Sequence, residues 1–77
     1  MQNFYKNDEY DSLTPKEIKV LKYLIEGLDN DEIAKLMRLS IYTVKAHVSV
    51  IIKKFNAKNR TQAACRAILT GYIEKLN

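Results

Sequence analysis

Four times along this chain a residue with a short polar side chain precedes a helix-forming run, and each time a partner stands three positions on. Thr14 precedes Pro15-Lys16-Glu17, Asp29 precedes Asn30-Asp31-Glu32, Ser40 precedes Ile41-Tyr42-Thr43, and Asn59 precedes Arg60-Thr61-Gln62. The first amides of a helix have no partner within it. A side-chain oxygen at the N-cap takes one of them, and an acid or amide at N3 reaches back to the cap. Pro15 suits the first helical position, and the acids of the second start sit on the positive end of the helix dipole. A chain punctuated this way is built from short helices.

Apolar residues recur at helical spacing behind each start. Val20, Leu21, Leu24, Ile25 and Leu28 follow the first, with Gly27 as the residue that ends it. Ile33, Ala34 and Met37 face one way in the second, which stops by Leu39. Val44, Val48, Ile51 and Phe55 form the cleanest stripe and end near Asn56, a residue that tolerates the left-handed conformation. Ala63, Ala64, Ala67 and Ile68 give the fourth helix its apolar face; Gly71 closes it, and Tyr72 and Ile73 are expected to fold back onto the bundle. Two glycines and one proline are too few for the turns of an all-β domain. The expected fold is all-α: a compact four-helix domain with a central helix-turn-helix over 13–77. Residues 1–12, polar and acidic without apolar period, read as a flexible leader or linker. At 77 residues there is one domain at most.

Charge is unevenly distributed. Residues 1–32 carry four basic and eight acidic side chains, whereas residues 33–73 carry eight basic ones and no acid. A segment of that length without a carboxylate repels itself unless a polyanion is near. Nucleic acid is the first candidate and an anionic membrane the second. The single cysteine, Cys65, excludes an intrachain disulfide and a cysteine-based zinc site. A lone cysteine that reads as buried fits a reducing compartment. No apolar run approaches a membrane span, and the N-terminus lacks the apolar core of a signal peptide, so a cytoplasmic location is expected. No Gly-rich phosphate loop, Ser/His/Asp set or metal-ligand spacing is present. The expectation is therefore a protein that is not an enzyme and needs no cofactor or metal.

The second and third helices are joined by Arg38-Leu39-Ser40. Ala34 allows close approach, Leu39 plugs the turn and Val44 anchors the third helix, the spacing of a helix-turn-helix. With Val44, Val48, Ile51 and Phe55 inward, Tyr42, Lys45, Ala46, Ser49 and Lys53 point outward. These residues are mostly short or basic, and none is acidic. Short residues let a helix sit deep in the major groove, where Lys45 can reach a base edge or a phosphate.

The segment Leu13–Ile73 resembles the LuxR-type (GerE/NarL-like) helix-turn-helix domain of bacterial transcription regulators. The resemblance is carried by LTPKEIKVL, DNDEIAKLM, LSIYTVKAHV, KKFNAKNRTQAA and a closing GYI, in that order and spacing. It implies sequence-specific binding to double-stranded DNA, with a recognition helix at about 41–55. Lys45, Ala46 and Ser49 match positions that face base edges. Thr43, His47, Lys53 and Arg60 match positions near the phosphate backbone, where Tyr42, Lys54 and Thr61 are further candidates. The amino end of the second helix around Asn30 would abut a phosphate. The fourth helix, through Ala64, Cys65 and Ile68, would form the contact of a homodimer on a pseudo-palindromic site. RNA polymerase is a second candidate partner on this reading. Ser49 is a weaker reader than Lys or Arg, so base preference does not carry over from relatives.

The bland readings stand beside these. The Tyr42 hydroxyl either meets a phosphate or the ring simply covers the helix start. His47 has no second histidine or cysteine pair with which to hold a metal. Cys65 has a core or interface role, which leaves open an oxidised pair across a dimer. A rival reading of the whole is a protein-interaction module that binds another regulator or RNA polymerase through exposed Ile18, Leu36, Ile41 and Val50. Nonspecific binding to membrane or RNA is a third, but the chain lacks a Lys-rich amphipathic helix and an aromatic platform.

Overall fold

The computed structural model describes residues 13–73. The leader expected at 1–12 lies outside the described residues, as do 74–77. Four helices follow in order: α1 (Pro15–Ile25), α2 (Asn30–Met37), α3 (Ile41–Lys54) and α4 (Arg60–Leu69). All four expected N-caps are in place. Thr14 with Glu17, and Asp29 with Glu32, form complete reciprocal capping boxes. Ser40 accepts from the Thr43 amide at 3.1 Å, and Asn59 from the Gln62 amide at 2.8 Å. Leu13, Leu28 and Leu39 stand just before the first three caps, and Ile18, Ile33 and Val44 four places into the helices. All six are buried in the core or packed against it. This pairing sets the angle at which the chain enters each helix.

The first three helices end alike. The amides of Leu28, Leu39 and Ala57 reach back five residues to the carbonyls of Tyr23, Ala34 and Ile52, at 3.1, 3.0 and 2.9 Å. Such a bond requires a left-handed residue before the donor. Gly27 (φ 88°), Arg38 (φ 56°) and Asn56 (φ 53°) supply it. Gly27 and Asn56 were legible as chain reversers; Arg38 was not, because its side chain disfavours this conformation.

α3 packs against each of the other helices, and α1 packs also on α4. Val20, Leu21, Ile33, Val44, Ile51, Phe55, Ala63 and Ala67 are all but inaccessible to solvent. The alanines of α4 let its backbone lie close to its neighbours. Beyond Gly71 the chain turns back, and the Tyr72 ring meets Phe55 edge to face, centroids 5.5 Å apart.

Two expectations for α4 need correction. Ile68 is 57 % exposed and does not share the buried face with the alanines. Cys65, which read as buried, is exposed. Helical geometry gives the reason. Ala63 and Ala67 mark the core direction, and at about 100° per residue Ile68 is turned about 120° from it, with Cys65 on the opposite side.

Candidate nucleic-acid interface

α3 is amphipathic in an unusual way. Taking Val44 as the origin, buried Val48, Ile51 and Phe55 fall within about 40° of it. The exposed residues Lys45, Ser49, Tyr42, Lys53, Ala46 and Thr43 occupy the arc from about 100° to about 260°. The helix thus turns to solvent a strip that holds two lysines and no acid. Among the described residues, every Asp and Glu lies at or before Glu32, in α1, α2 and their connections. α3 and α4 also have no acid in their first turns. Their dipoles present positive charge without local compensation.

The structure gathers Lys45, Ala46 and Ser49 on this strip with Tyr42 and Lys53. Thr43 lies at its edge, its hydroxyl 3.0 Å from that of Ser40. His47 is half-buried on the opposite flank, near enough to Glu17 to favour that carboxylate's charged form. Lys54 is held on the same flank, its ammonium donating to Glu17 Oε1 at 3.0 Å. Burial raises the cost of charging Glu17. The Thr14 amide, the Lys54 ammonium and His47 together outweigh that cost and hold its carboxyl below the usual value.

Arg60 and Asn30 also come together, which spacing alone did not reveal. Arg60 donates to Asn30 Oδ1 at 2.6 Å and to the Leu28 carbonyl at 3.0 Å. The start of α4 is thereby tied to the start of α2, and the Asn30 side chain is held by its oxygen. Thr61 is exposed in the first turn of α4. Arg66, not singled out by sequence, donates to the carbonyls of Phe55 (2.9 Å) and Asn56. A cation from α4 thus covers the negative end of the α3 dipole.

On α4, Ala64 is at the edge of the core, while Cys65 and Ile68 are open to solvent, joined by Leu69 at 81 % exposure. The i, i+3, i+4 spacing of these three residues makes one exposed strip. Of the four apolar residues read as an exposed docking surface, three are only partly exposed. Ile18 is packed against the core from the fourth position of α1, Ile41 and Val50 are half-buried, and only Leu36 stays open, at 59 %. Among the described residues no cluster of acids, histidines and cysteines could hold a metal, and no helix is long and apolar enough to cross a membrane.

The sequence model of the bacterial regulatory proteins of the luxR family matches residues 11–67. The chain belongs to the luxR family. It carries a helix-turn-helix domain of the kind that binds DNA and regulates transcription. Among its relatives is the transcriptional regulatory protein YxjL of Bacillus subtilis (strain 168), 37% identical over 73 residues, which are 95% of this chain and 34% of that protein. The response regulator protein VraR of Staphylococcus aureus (strain Mu3) is 38% identical over 65 residues, 84% of this chain and 31% of that protein. VraR of Staphylococcus epidermidis matches to the same extent. The chain therefore spans about a third of the length of these luxR-family relatives.

Proposed function

We propose that this luxR-family domain is a transcription regulator's reading head, which binds specific double-stranded DNA by laying α3 in the major groove. The observation that carries the reading is the acid-free strip of α3 directly opposite its core stripe. An ordinary solvated helix face mixes charges of both signs. This one puts small side chains, Ala46 and Ser49, where close approach is needed and lysines where a polyanion would lie. Lys45, Ala46 and Ser49 face base edges, and Lys53, Thr43 and Thr61 grip the backbone. Asn30, fixed by Arg60, presents the amino end of α2 to a phosphate. Lys54 and His47, on the flank shared with Glu17, act chiefly by setting how α3 sits. Phosphate contacts supply most of the affinity and the strip supplies selectivity.

The exposed strip Cys65, Ile68 and Leu69, with Ala64 behind it, pairs two copies through α4. Two recognition helices then meet half-sites about 10 base pairs apart. With Ile18, Ile41 and Val50 only partly exposed, the reading as a protein-interaction module has less apolar surface to use than the sequence suggested, and Leu36 is the residue of that set open to a partner such as RNA polymerase.

Selection from a randomised duplex library at several salt concentrations, followed by sequencing, tests this reading. Enrichment of a two-fold symmetric site, with affinity falling steeply as salt rises, supports it. Retention without an enriched site reduces the activity to backbone binding, and no retention at low salt overturns it.

A further inference from the structure

The outermost line of α3 is not the one that the basic residues mark. Tyr42, Ala46, Ser49 and Lys53 follow one another at spacings of four, three and four, in step with the core stripe on the other side. They lie within about 40° of the direction pointing straight away from the core. Lys45 and Thr43 lie about 80–90° off that direction. An α-helix with its side chains is about as wide as the major groove, so the outermost line faces the floor, while from the flanks the short Thr43 meets a phosphate wall and the long Lys45 reaches inward to a base edge.

Tyr42 heads this line. It is 78 % exposed, the one aromatic that is open to water among the described residues. The next residues on the line, Ala46 and Ser49, are short, so along this line the ring projects beyond them. Lys53 closes the line about 16 Å further along, in the last turn, beyond the N-terminal turns that lie against base edges, and there its long side chain meets the backbone. A ring at this place reaches the floor of the groove before any neighbour does. The apolar feature on that floor is the 5-methyl group of thymine, which takes contacts from apolar side chains. Taking α3 as the reading helix proposed above, we infer that the Tyr42 ring is a specificity-determining contact to a thymine 5-methyl group and not a phosphate contact through its hydroxyl.

The test uses the duplex enriched from the randomised library, with each thymine replaced singly by deoxyuridine, which removes only the methyl group. Wild-type protein is expected to lose about fourfold in affinity at one position per half-site, the worth of one buried methyl group. Y42F should keep that sensitivity. Y42A should bind thymine and uracil duplexes equally, with helical content and thermal stability unchanged because the side chain packs against little. Uniform tolerance of uracil by the wild type, or unchanged sensitivity in Y42A, overturns the inference. So does a Y42F affinity as low as that of Y42A, which would assign the hydroxyl to a phosphate. In each of those cases the DNA-reading role of α3 still stands. A wild type that enriches no duplex at all overturns that role, and this inference with it.

Discussion

Glu17 of α1 and Lys54 of α3 meet through a single oxygen: Glu17 Oε1 accepts from the Lys54 ammonium at 3.0 Å, and from the Thr14 amide also at 3.0 Å. The same carboxylate therefore starts the first helix and fixes the last turn of the third. Glu17 is buried, yet its carboxyl is held below the usual value, because the hydrogen bonds and nearby positive charge outweigh desolvation. A carboxyl lowered in the folded state stabilises the fold above the unfolded-state value, and that stabilisation is lost as pH falls through the folded one. Urea unfolding between pH 7 and pH 3 should thus show stability declining toward the acid end. Glu17→Gln should flatten that part of the curve and cost about 1–2 kcal/mol at neutral pH. An unchanged slope would mean that Glu17 is not the titrating group.

The left-handed Arg38 makes a second prediction. A side chain in that conformation costs about 1 kcal/mol, and glycine has no such penalty. Arg38→Gly should raise stability by about 0.5–1 kcal/mol, seen as an increase of a few degrees in Tm. Asn56→Gly should gain less, because asparagine tolerates the conformation better. A lower Tm for Arg38→Gly would show that its side chain contributes more to the α2–α3 turn than its backbone costs.

The lysines of α3 separate selectivity from affinity. Lys45→Ala should cost about 1–3 kcal/mol on the enriched duplex and little on scrambled DNA if it reads a base. Lys53→Ala should weaken every sequence about equally and reduce the salt dependence by about one phosphate contact. Competition binding at fixed salt distinguishes the two patterns. A uniform loss for Lys45→Ala would move that residue to the backbone.

The α4 strip makes a fourth. Ile68→Glu places like charges on facing copies without disturbing a core that Ile68 does not enter. Sedimentation should then report monomer, and binding to a duplex with two half-sites should fall to the level of one half-site. Unaltered binding to the full site would place the dimer contact elsewhere.

The helices and their limits were legible in the sequence because caps and apolar period are local chemistry. Thr14, Asp29, Ser40 and Asn59 each act on an amide three residues away. The outward strip of α3 was legible for the same reason, once its core stripe was known. What escaped was tertiary. The partners Arg60–Asn30 and Lys54–Glu17 are 30 and 37 residues apart, and no spacing rule joins them. Ile68 and Cys65 were misplaced because an apolar count along α4 does not say which of its apolar residues point inward. Arg38 was hidden by the absence of the glycine that normally marks such a turn.

The central claim is that the acid-free strip of α3 is the surface that meets DNA. Titrating ¹⁵N-labelled protein with the enriched duplex and following amide shifts tests it most directly. The account predicts the largest changes at Tyr42, Lys45, Ala46, Ser49 and Lys53, with smaller ones at Asn30 and Thr61 and little along the body of α1. Changes concentrated instead on α1, with α3 silent, would contradict it.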